Sequence, residues 1–297
     1  MTKVFSGVYT ALITPFTASG LFDRNAFQKL IDFQIENGVD GIVILGTTGE
    51  SPTVSPEEHI AIIASAVEIA RGRTTILAGV GSNSTEEAIF YSQQAEAFGA
   101  DALLHVVPYY NKPTQKGLYE HFFAIAHKTN LPILLYNIPG RTGVNMEIET
   151  LLRLSEIPNI QGVKEASGNV EQVRKSIEKL PNDFSVLSGN DDQNLDILKL
   201  GGDGTVSVLS NVFPRETKKI VDFFRAGDIA SAESLSNLLA DFVDALFIET
   251  NPIPVKTMLA HLGMCEEIFR LPLTTMDPKN RERLLTLYES LQKTPLL

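Results

Sequence analysis

The chain has 297 residues, a formal net charge of -11, 43% hydrophobic residues and 21% charged residues. This composition is typical of a globular protein with one large core, and its acidic balance disfavours nucleic acid or an anionic membrane as a partner. No apolar run approaches the roughly 20 residues that a membrane helix needs, and the first residues, MTKVFSGVYTALITPF, lack the pattern of a signal peptide.

Eight short apolar segments recur along the chain. In order they are VYTALI, GIVIL, TILAGV, ALLHVV, PILLYN, QGVKEA, FSVLSG and GTVSVL. Each has the length of a strand, and several are rich in Val, Ile or Leu. Strands that are apolar along nearly their whole length predict a parallel sheet that is covered on both faces.

Helical patterns lie between these segments. SPEEHIAIIASAVEIA begins with Ser55 as a predicted N-cap, Pro56 at the first helical position and Glu58 completing a capping box. STEEAIFYSQQAEAF repeats the pattern, with Ser84 and Glu87 in the two capping positions. Both stretches therefore predict helices that follow a strand.

Eight strand-helix units over residues 8 to about 226 predict an α/β fold, the closed (β/α)8 TIM barrel. An open doubly wound sheet is the alternative, but no G-x-G-x-x-G follows the first strand. Residues 227–297 carry helical patterns and no strand signal. We therefore divide the chain into a barrel with the active site, 1–226, and a C-terminal helical extension, 227–297, packed on the barrel or on a partner subunit.

Lys164 stands in an apolar strand, within IQGVKEA. A buried lysine is rare unless it is paired or functional, and because Glu165 is next to it, only one of the two can point into the barrel. Burial disfavours the charged form of an amine, so such a lysine is partly a neutral nucleophile towards carbonyls. The position predicts a protonated Schiff base and aldolase-type chemistry.

Polar residues also follow other strands, at the end where a barrel of this kind has its active site. They are Thr47, Thr48 and Glu50 in GTTGES, Tyr109 and Tyr110 in PYYN, Tyr136 and Arg141 in YNIPGRTG, and Gly189 in SGND. Each motif alone could be an ordinary turn or a solvated loop. Together, hydroxyls of Tyr136, Thr48 and Tyr110 could relay protons, and Arg141 could hold a carboxylate in a bidentate pair.

Five motifs in this order, GTTGES, PYYNKPTQKGLYEHF, YNIPGRTG, GVKEASGN and NPIPVK, resemble the class I aldolases of the dihydrodipicolinate synthase and N-acetylneuraminate lyase superfamily. The resemblance covers nearly the whole chain. GTTGES with YNIPGRTG is similar to the synthase branch. The sialic acid lyases usually have Ser at the position of Thr48 and lack the Arg141 pattern.

The resemblance implies a set of catalytic residues. Lys164 would condense with pyruvate, and Tyr136 would relay protons while the Schiff base forms and in the later steps. Thr48 would link Tyr136 to Tyr110. In the family, the tyrosine that matches Tyr110 reaches in from a neighbouring subunit.

The resemblance also implies the substrate contacts. Thr47 and the backbone around Gly189 and Val206 would border pyruvate, and Arg141 would hold the carboxylate of L-aspartate-4-semialdehyde. The condensation would give 4-hydroxy-tetrahydrodipicolinate and begin the diaminopimelate route to lysine. The family is commonly a homotetramer built from two tight dimers, and no cofactor or metal is expected, because the five histidines show no ligand spacing.

Two alternatives stay open. The chain could be another pyruvate-dependent lyase on the same scaffold that acts on a sugar acid, for which hydroxyl partners would suit the site better than Arg141. It could also be a non-catalytic barrel with a ligand-sensing or structural role, although the joint presence of Lys164, Tyr136, Thr48 and Tyr110 argues against loss of activity.

A possible regulatory site follows from the resemblance. In regulated relatives, lysine binds at the tight dimer interface, at positions that match Ser51, His59, Asn83, Glu87 and Tyr109. Here Pro52 replaces a small residue and Pro56 replaces a histidine, and each proline removes a backbone donor. We therefore expect weak inhibition by L-lysine or none.

Cys265 is the only cysteine, so no internal disulfide can form. A lone cysteine in a predicted helix near the C-terminus is more often a small core residue than a nucleophile. The absence of disulfides fits a reducing compartment. We expect the protein to be cytoplasmic.

Overall fold

The structure, a computed structural model, describes residues 3–294. Eight parallel strands form one closed barrel in chain order, so that the first strand also pairs with the eighth. The strands are β1 Gly7–Ala11, β2 Gly41–Ile44, β3 Thr75–Gly79, β4 Ala102–Val106, β5 Ile133–Asn137, β6 Ile160–Glu165, β7 Ser185–Ser188 and β8 Gly204–Ser207. The predicted (β/α)8 TIM barrel is confirmed, and each of the eight apolar segments overlaps one strand.

Twelve α-helices accompany the strands in the described part of the chain. They are α1 Arg24–Glu36, α2 Pro56–Ala70, α3 Thr85–Ala97, α4 Gln115–Ala126, α5 Pro139–Thr142, α6 Ile148–Ser155, α7 Val170–Lys179, α8 Asn194–Lys199, α9 Pro214–Arg225, α10 Ile229–Leu246, α11 Ile253–His261 and α12 Pro278–Gln292. None of the helices within residues 3–294 has the length and apolarity that crossing a membrane requires.

The two predicted capping boxes have different outcomes. At α2, the Ser55 hydroxyl accepts from the Glu58 N–H, and the Glu58 carboxylate accepts from the Ser55 N–H, as predicted. At α3, the Ser84 hydroxyl accepts from the Glu87 N–H, but the Ser84 N–H donates to the Ser82 hydroxyl instead of to Glu87. The Glu87 carboxylate accepts from that same Ser82 hydroxyl. The predicted second box is therefore wrong in one half, because Ser82 already occupies the donor that Glu87 would need.

The chain beyond β8 returns to cover the barrel. Helix α10 packs against α9 and α12, and α11 contacts α10, α12 and the short 3-10 turn Leu209–Asn211. Residues 262–277 form neither helix nor strand, so the helical pattern predicted for this region is wrong there. Cys265 lies in this irregular segment, where burial raises the pKa of its thiol to about 12. Side-chain contacts rather than a backbone ladder hold this segment on the barrel.

Candidate active site

Lys164 and Tyr136 stand side by side on neighbouring strands. They are register partners on β6 and β5, and Leu187 of β7 is the next partner along the sheet. Register partners of parallel strands point to the same side, so these side chains share one face. Lys164 is 6% exposed, and its Nζ lies 4.1 Å from the centroid of the Tyr136 ring. No carboxylate of residues 3–294 forms an ion pair with it.

Gly189 leaves room for the lysine side chain. A Cβ at this position would lie 2.9 Å from Lys164 Cε and 2.8 Å from Ala166 Cβ, closer than side chains can approach. The Gly189 N–H donates to the carbonyl of Glu165 at 2.7 Å, which ties the end of β7 to β6. Val206, buried on β8, lies two residues after Gly204, the register partner of Leu187, and so shares the face of Lys164.

Glu165 points away from Lys164, to the helix side of β6. It is 3% exposed, and its carboxylate accepts from the Asn137 amide at 3.2 Å and from the Ser167 N–H at 2.8 Å. Burial raises the pKa of this carboxyl, although these hydrogen bonds oppose the shift. Asn137 in turn accepts from the N–H of Met146 at 3.0 Å, so the pair anchors the chain that follows Arg141.

A second lysine, Lys256 of α11, is more deeply buried than Lys164 and was not predicted. Its side chain is 0% exposed and forms an ion pair with Glu50, and its Nζ also donates to the carbonyl of Ile268 at 3.0 Å. Burial lowers the pKa of Lys256, and the Glu50 carboxylate opposes that shift. The other Glu50 oxygen accepts from the Arg270 N–H at 3.2 Å. Glu50 of GTTGES is therefore engaged by the C-terminal extension.

Thr48 is also contacted by the C-terminal extension. Its side chain is buried, and its Oγ1 accepts from Asn251 Nδ2 at 3.0 Å. The next carbonyl, that of Gly49, accepts from the Thr14 hydroxyl at 2.7 Å. Within residues 3–294, Asn251 is the side-chain partner of the Thr48 hydroxyl, and the link from Thr48 to Tyr136 stays a prediction. Sequence reasoning missed Asn251, although it opens the NPIPVK motif.

Tyr110 lies on the surface of the single chain. Its side chain is 89% exposed, and its φ of 72° is in the left-handed region. This backbone conformation costs a residue other than glycine about 1–2 kcal/mol. The adjacent Tyr109 is less exposed, and burial, reinforced by the Glu87 carboxylate, raises the pKa of its phenol.

A cavity of about 490 Å³ opens beside the C-terminal ends of β2, β3, β4 and β5. Its wall includes Thr47, Tyr136 and Arg141, together with Ser51, Pro52, Pro56, His59, Glu87 and Tyr109. Six other predicted site residues of the described chain are not part of that wall: Thr48, Asn83, Tyr110, Lys164, Gly189 and Val206. Tyr136 connects the two groups, because it lines the cavity and its ring contacts the Lys164 amine.

Arg141 lies on the short helix α5 at the rim of this cavity. Its side chain is exposed, and no carboxylate of residues 3–294 forms an ion pair with it. By contrast, Arg270 is paired with Glu58, with a nitrogen-oxygen distance of 2.6 Å. The Arg141 guanidinium is therefore available for a carboxylate that enters the cavity.

Four of the five residues predicted to bind regulatory lysine line the same cavity, namely Ser51, His59, Glu87 and Tyr109. His59 Nε2 lies 3.0 Å from the Gly79 carbonyl, and its ring stacks on Tyr91 with centroids 4.2 Å apart. Burial lowers the pKa of His59 to about 4. Asn83 Nδ2 donates to the Tyr109 carbonyl at 3.3 Å, so Asn83 supports this wall from behind.

The donor set of the site consists of an amine, hydroxyls, a guanidinium and backbone groups. Among residues 3–294, no group of three or more His, Cys, Asp or Glu side chains has the geometry to hold a metal ion. A buried amine such as that of Lys164 can add to a carbonyl carbon, and a guanidinium such as that of Arg141 can hold an anionic group.

Comparison with known proteins gives a consistent result. The model of the dihydrodipicolinate synthetase family matches residues 4–291. A 4-hydroxy-tetrahydrodipicolinate synthase from Hydrogenobaculum sp. (strain Y04AAS1) is 48% identical over 282 residues, which are 95% of this chain and 97% of that protein.

Solved structures agree with the sequence comparison. The 4-hydroxy-tetrahydrodipicolinate synthase from Methylacidiphilum fumariolicum SolV is 48% identical and superposes with a TM-score of 0.96, over 97% of this chain and 96% of that chain. A dihydrodipicolinate synthase from Cyanidioschyzon merolae, solved with lysine bound, is 40% identical with a TM-score of 0.96, over 99% of this chain and 100% of that chain.

Proposed function

Because the chain belongs to the dihydrodipicolinate synthetase family, we propose that it condenses pyruvate with L-aspartate-4-semialdehyde through a Schiff base on Lys164. The product is 4-hydroxy-tetrahydrodipicolinate, and the reaction is the first step of the diaminopimelate route to lysine. The observation that carries the proposal is Lys164 itself, which is buried, has no carboxylate partner among residues 3–294, and lies against Tyr136.

The chemistry follows from a buried amine. The Lys164 amine adds to the C2 carbonyl of pyruvate, and water leaves to give a protonated imine. Loss of a methyl proton gives an enamine, whose carbon adds to the aldehyde of the second substrate. The amino group of that substrate then displaces Lys164 from C2 and closes the six-membered ring. Tyr136 relays protons in these steps, a role supported by the position of its ring, whose centroid is 4.1 Å from Lys164 Nζ.

The remaining contacts are assigned by the same proposal. Arg141 holds the carboxylate of aspartate semialdehyde, which its unpaired guanidinium at the cavity rim supports. Thr47 and the backbone around Gly189 and Val206 border pyruvate. The small volume of Gly189 beside Lys164 Cε supports this placement, because a larger residue would fill the space next to the amine.

We assign Tyr110 and Thr48 to a proton relay with Tyr136 that is completed by a neighbouring subunit. The 89% exposure of Tyr110 and its left-handed backbone support this assignment, because an aromatic residue is held in an unfavourable conformation where it has little contact with its own chain. The corresponding assembly is a homotetramer, a dimer of tight dimers. A cytoplasmic location is part of the same proposal, and the single cysteine fits a reducing compartment.

A second candidate function is a pyruvate-dependent lyase that acts on a sugar acid. Arg141 disfavours it, since a sugar chain would need hydroxyl partners at the cavity rim. A panel of aspartate semialdehyde, succinic semialdehyde and N-acetylneuraminate separates the two enzymes. Turnover of aspartate semialdehyde with pyruvate supports the proposal, whereas cleavage of N-acetylneuraminate alone would replace it. Trapping with borohydride and pyruvate separates both enzymes from a barrel that only binds a ligand.

We also propose that the cavity wall formed by Ser51, His59, Glu87 and Tyr109, with Asn83 behind it, binds L-lysine weakly. The Glu87 carboxylate is suited to an ammonium group. Pro52 and Pro56 line the same cavity and lack N–H donors, which weakens any such binding.

A further inference from the structure

The structure brings a residue of the C-terminal extension into contact with the predicted proton relay. We propose that Asn251 is a positioning residue of the reaction, whose amide sets the direction in which the Thr48 hydroxyl donates its proton. The inference rests on the proposed function, because it concerns how Thr48 acts in that reaction. It adds residue 251 and its segment to a site that otherwise comes from the strand ends of the barrel.

The hydrogen bond determines the polarity of the hydroxyl. A threonine hydroxyl has one proton and two acceptor lone pairs. Asn251 Nδ2 donates to Thr48 Oγ1 at 3.0 Å, so one lone pair is occupied and the proton is free to point elsewhere. An acceptor at position 251 would attract the Thr48 proton to itself. Asn251 thus keeps the Thr48 hydroxyl a donor towards the rest of the site.

Asn251 is well placed for this task because it is immobilised. It is 6% exposed and immediately precedes Pro252 and helix α11. The same helix carries Lys256, whose ion pair with Glu50 attaches α11 to the GTTGES loop. The Lys256 amine also donates to the Ile268 carbonyl, which attaches α11 to the irregular segment that follows it. The two contacts with the loop bridge 203 and 206 residues of sequence. The extension therefore contacts the loop at two points, Thr48 and Glu50, and both contacts restrain the position of Asn251 beside Thr48.

The other end of the amide points to the same conclusion. Asn251 Oδ1 is buried and has no hydrogen-bond partner among residues 3–294. Buried polar atoms are nearly always paired, so a side chain that stabilised the fold alone would be expected to satisfy both ends. In Asn251, the end that is satisfied is the one that donates to Thr48.

The test compares near-isosteric variants of the full-length enzyme. N251D replaces the N–H donor with a carboxylate acceptor, and N251L removes donor and acceptor together. T48V removes the hydroxyl, and T48V/N251L closes a double-mutant cycle. T257V is the matched control, because Thr257 is buried like Asn251, lies in the adjacent helix α11, and its hydroxyl donates to Glu267 at 3.0 Å instead of contacting Thr48. Rates are expressed per subunit that borohydride traps with pyruvate, and circular dichroism checks folding.

We expect N251D and N251L to lower kcat by at least about tenfold, with little change in KM for pyruvate, because a misdirected hydroxyl weakens proton transfer rather than binding. In the T48V background, N251L should have little further effect. The ratio of N251D to wild-type kcat should rise as the pH falls, because a protonated carboxyl can again donate to Thr48. T257V should keep the wild-type kcat.

Two results would overturn the proposal. One is that the losses from T48V and N251L multiply, which is what independent structural effects produce. The other is that the N251D ratio does not change with pH. A failure of the proposed function gives a different result, since the wild-type enzyme itself would then neither trap pyruvate nor form the condensation product.

Discussion

Lys164 Nζ lies 4.1 Å from the centroid of the Tyr136 ring, and the two residues are register partners on adjacent strands. The strand register of the barrel therefore places the Lys164 amine beside the Tyr136 ring, and no loop conformation is needed to bring them together. Lys256, the other buried lysine, is paired with Glu50, whereas Lys164 has no ion-pair partner among residues 3–294. The contrast separates a lysine that supports the fold from one that is available for chemistry.

The two lysines should respond in opposite ways to removal. Lys164→Ala should leave the free energy of unfolding nearly unchanged, because it deletes a buried amine that has no ion-pair partner within residues 3–294, and should lower turnover by orders of magnitude. Lys256→Met should lower the stability by about 3–5 kcal/mol, because it leaves the buried Glu50 carboxylate without its partner. Urea unfolding and steady-state assays on both variants check this. Equal losses of stability would contradict the distinction.

Arg141 should select the second substrate. Arg141→Ala should raise KM for aspartate semialdehyde far more than KM for pyruvate, since only the semialdehyde loses its bidentate partner. Arg174→Ala is a suitable control, because Arg174 lies on α7 and pairs with Glu171 at the surface. Similar increases in both KM values for Arg141→Ala would count against this role.

Feedback by lysine should be weak. Each missing donor at Pro52 or Pro56 should weaken binding by about 1 kcal/mol, which is several-fold in affinity. Initial rates at fixed concentrations of both substrates, titrated with L-lysine, measure the effect. Glu87→Gln should abolish whatever inhibition is present without changing the uninhibited rate. Half-inhibition at micromolar lysine would show that the two prolines do not have the assigned effect.

Three buried histidines should make the fold sensitive to acid. Burial lowers the pKa of His59 and His121 to about 4, and burial together with His121 lowers that of His105 to about 3. Unfolded histidines take up protons near pH 6.5, so between about pH 6.5 and 4 the unfolded chain binds more protons than the folded one, and stability falls as the pH falls.

Each histidine should contribute a slope of up to about 1.4 kcal/mol per pH unit in that window. Urea unfolding at pH 7, 6 and 5 gives the pH dependence of the free energy of unfolding. His105→Gln should reduce that slope by the contribution of about one proton, which is up to about 1.4 kcal/mol per pH unit. His127→Gln is the control, because the His127 side chain is exposed. A slope that is unchanged in His105→Gln would show that His105 takes up its proton in the folded protein.

The barrel and its strand ends could be predicted because their signals are local. Each of these signals lies within a few consecutive residues. Examples are the apolar runs, the pair Ser55 and Glu58 at the start of α2, and the position of Lys164 in β6. Asn251 and Lys256 could not be assigned in this way. Their partners, Thr48 and Glu50, lie about 200 residues earlier, and no periodicity links the two segments.

Glu87 shows that one local sequence pattern can form two different sets of hydrogen bonds. Its spacing from Ser84 predicts a capping box, but Ser82 lies close enough to bond both the Ser84 N–H and the Glu87 carboxylate. The choice between them depends on the path of the chain before the helix, which capping patterns do not encode. As a result, Glu87 lines the cavity instead of closing the box.

Covalent trapping of pyruvate is the most direct test of the proposed Schiff base on Lys164. The wild-type protein is incubated with pyruvate, reduced with sodium borohydride, digested and mapped by mass spectrometry, with Lys164→Ala treated in parallel. We expect one pyruvate-derived adduct per subunit, on Lys164, and none in Lys164→Ala. An adduct on another lysine, or no adduct in the wild-type protein, would contradict it.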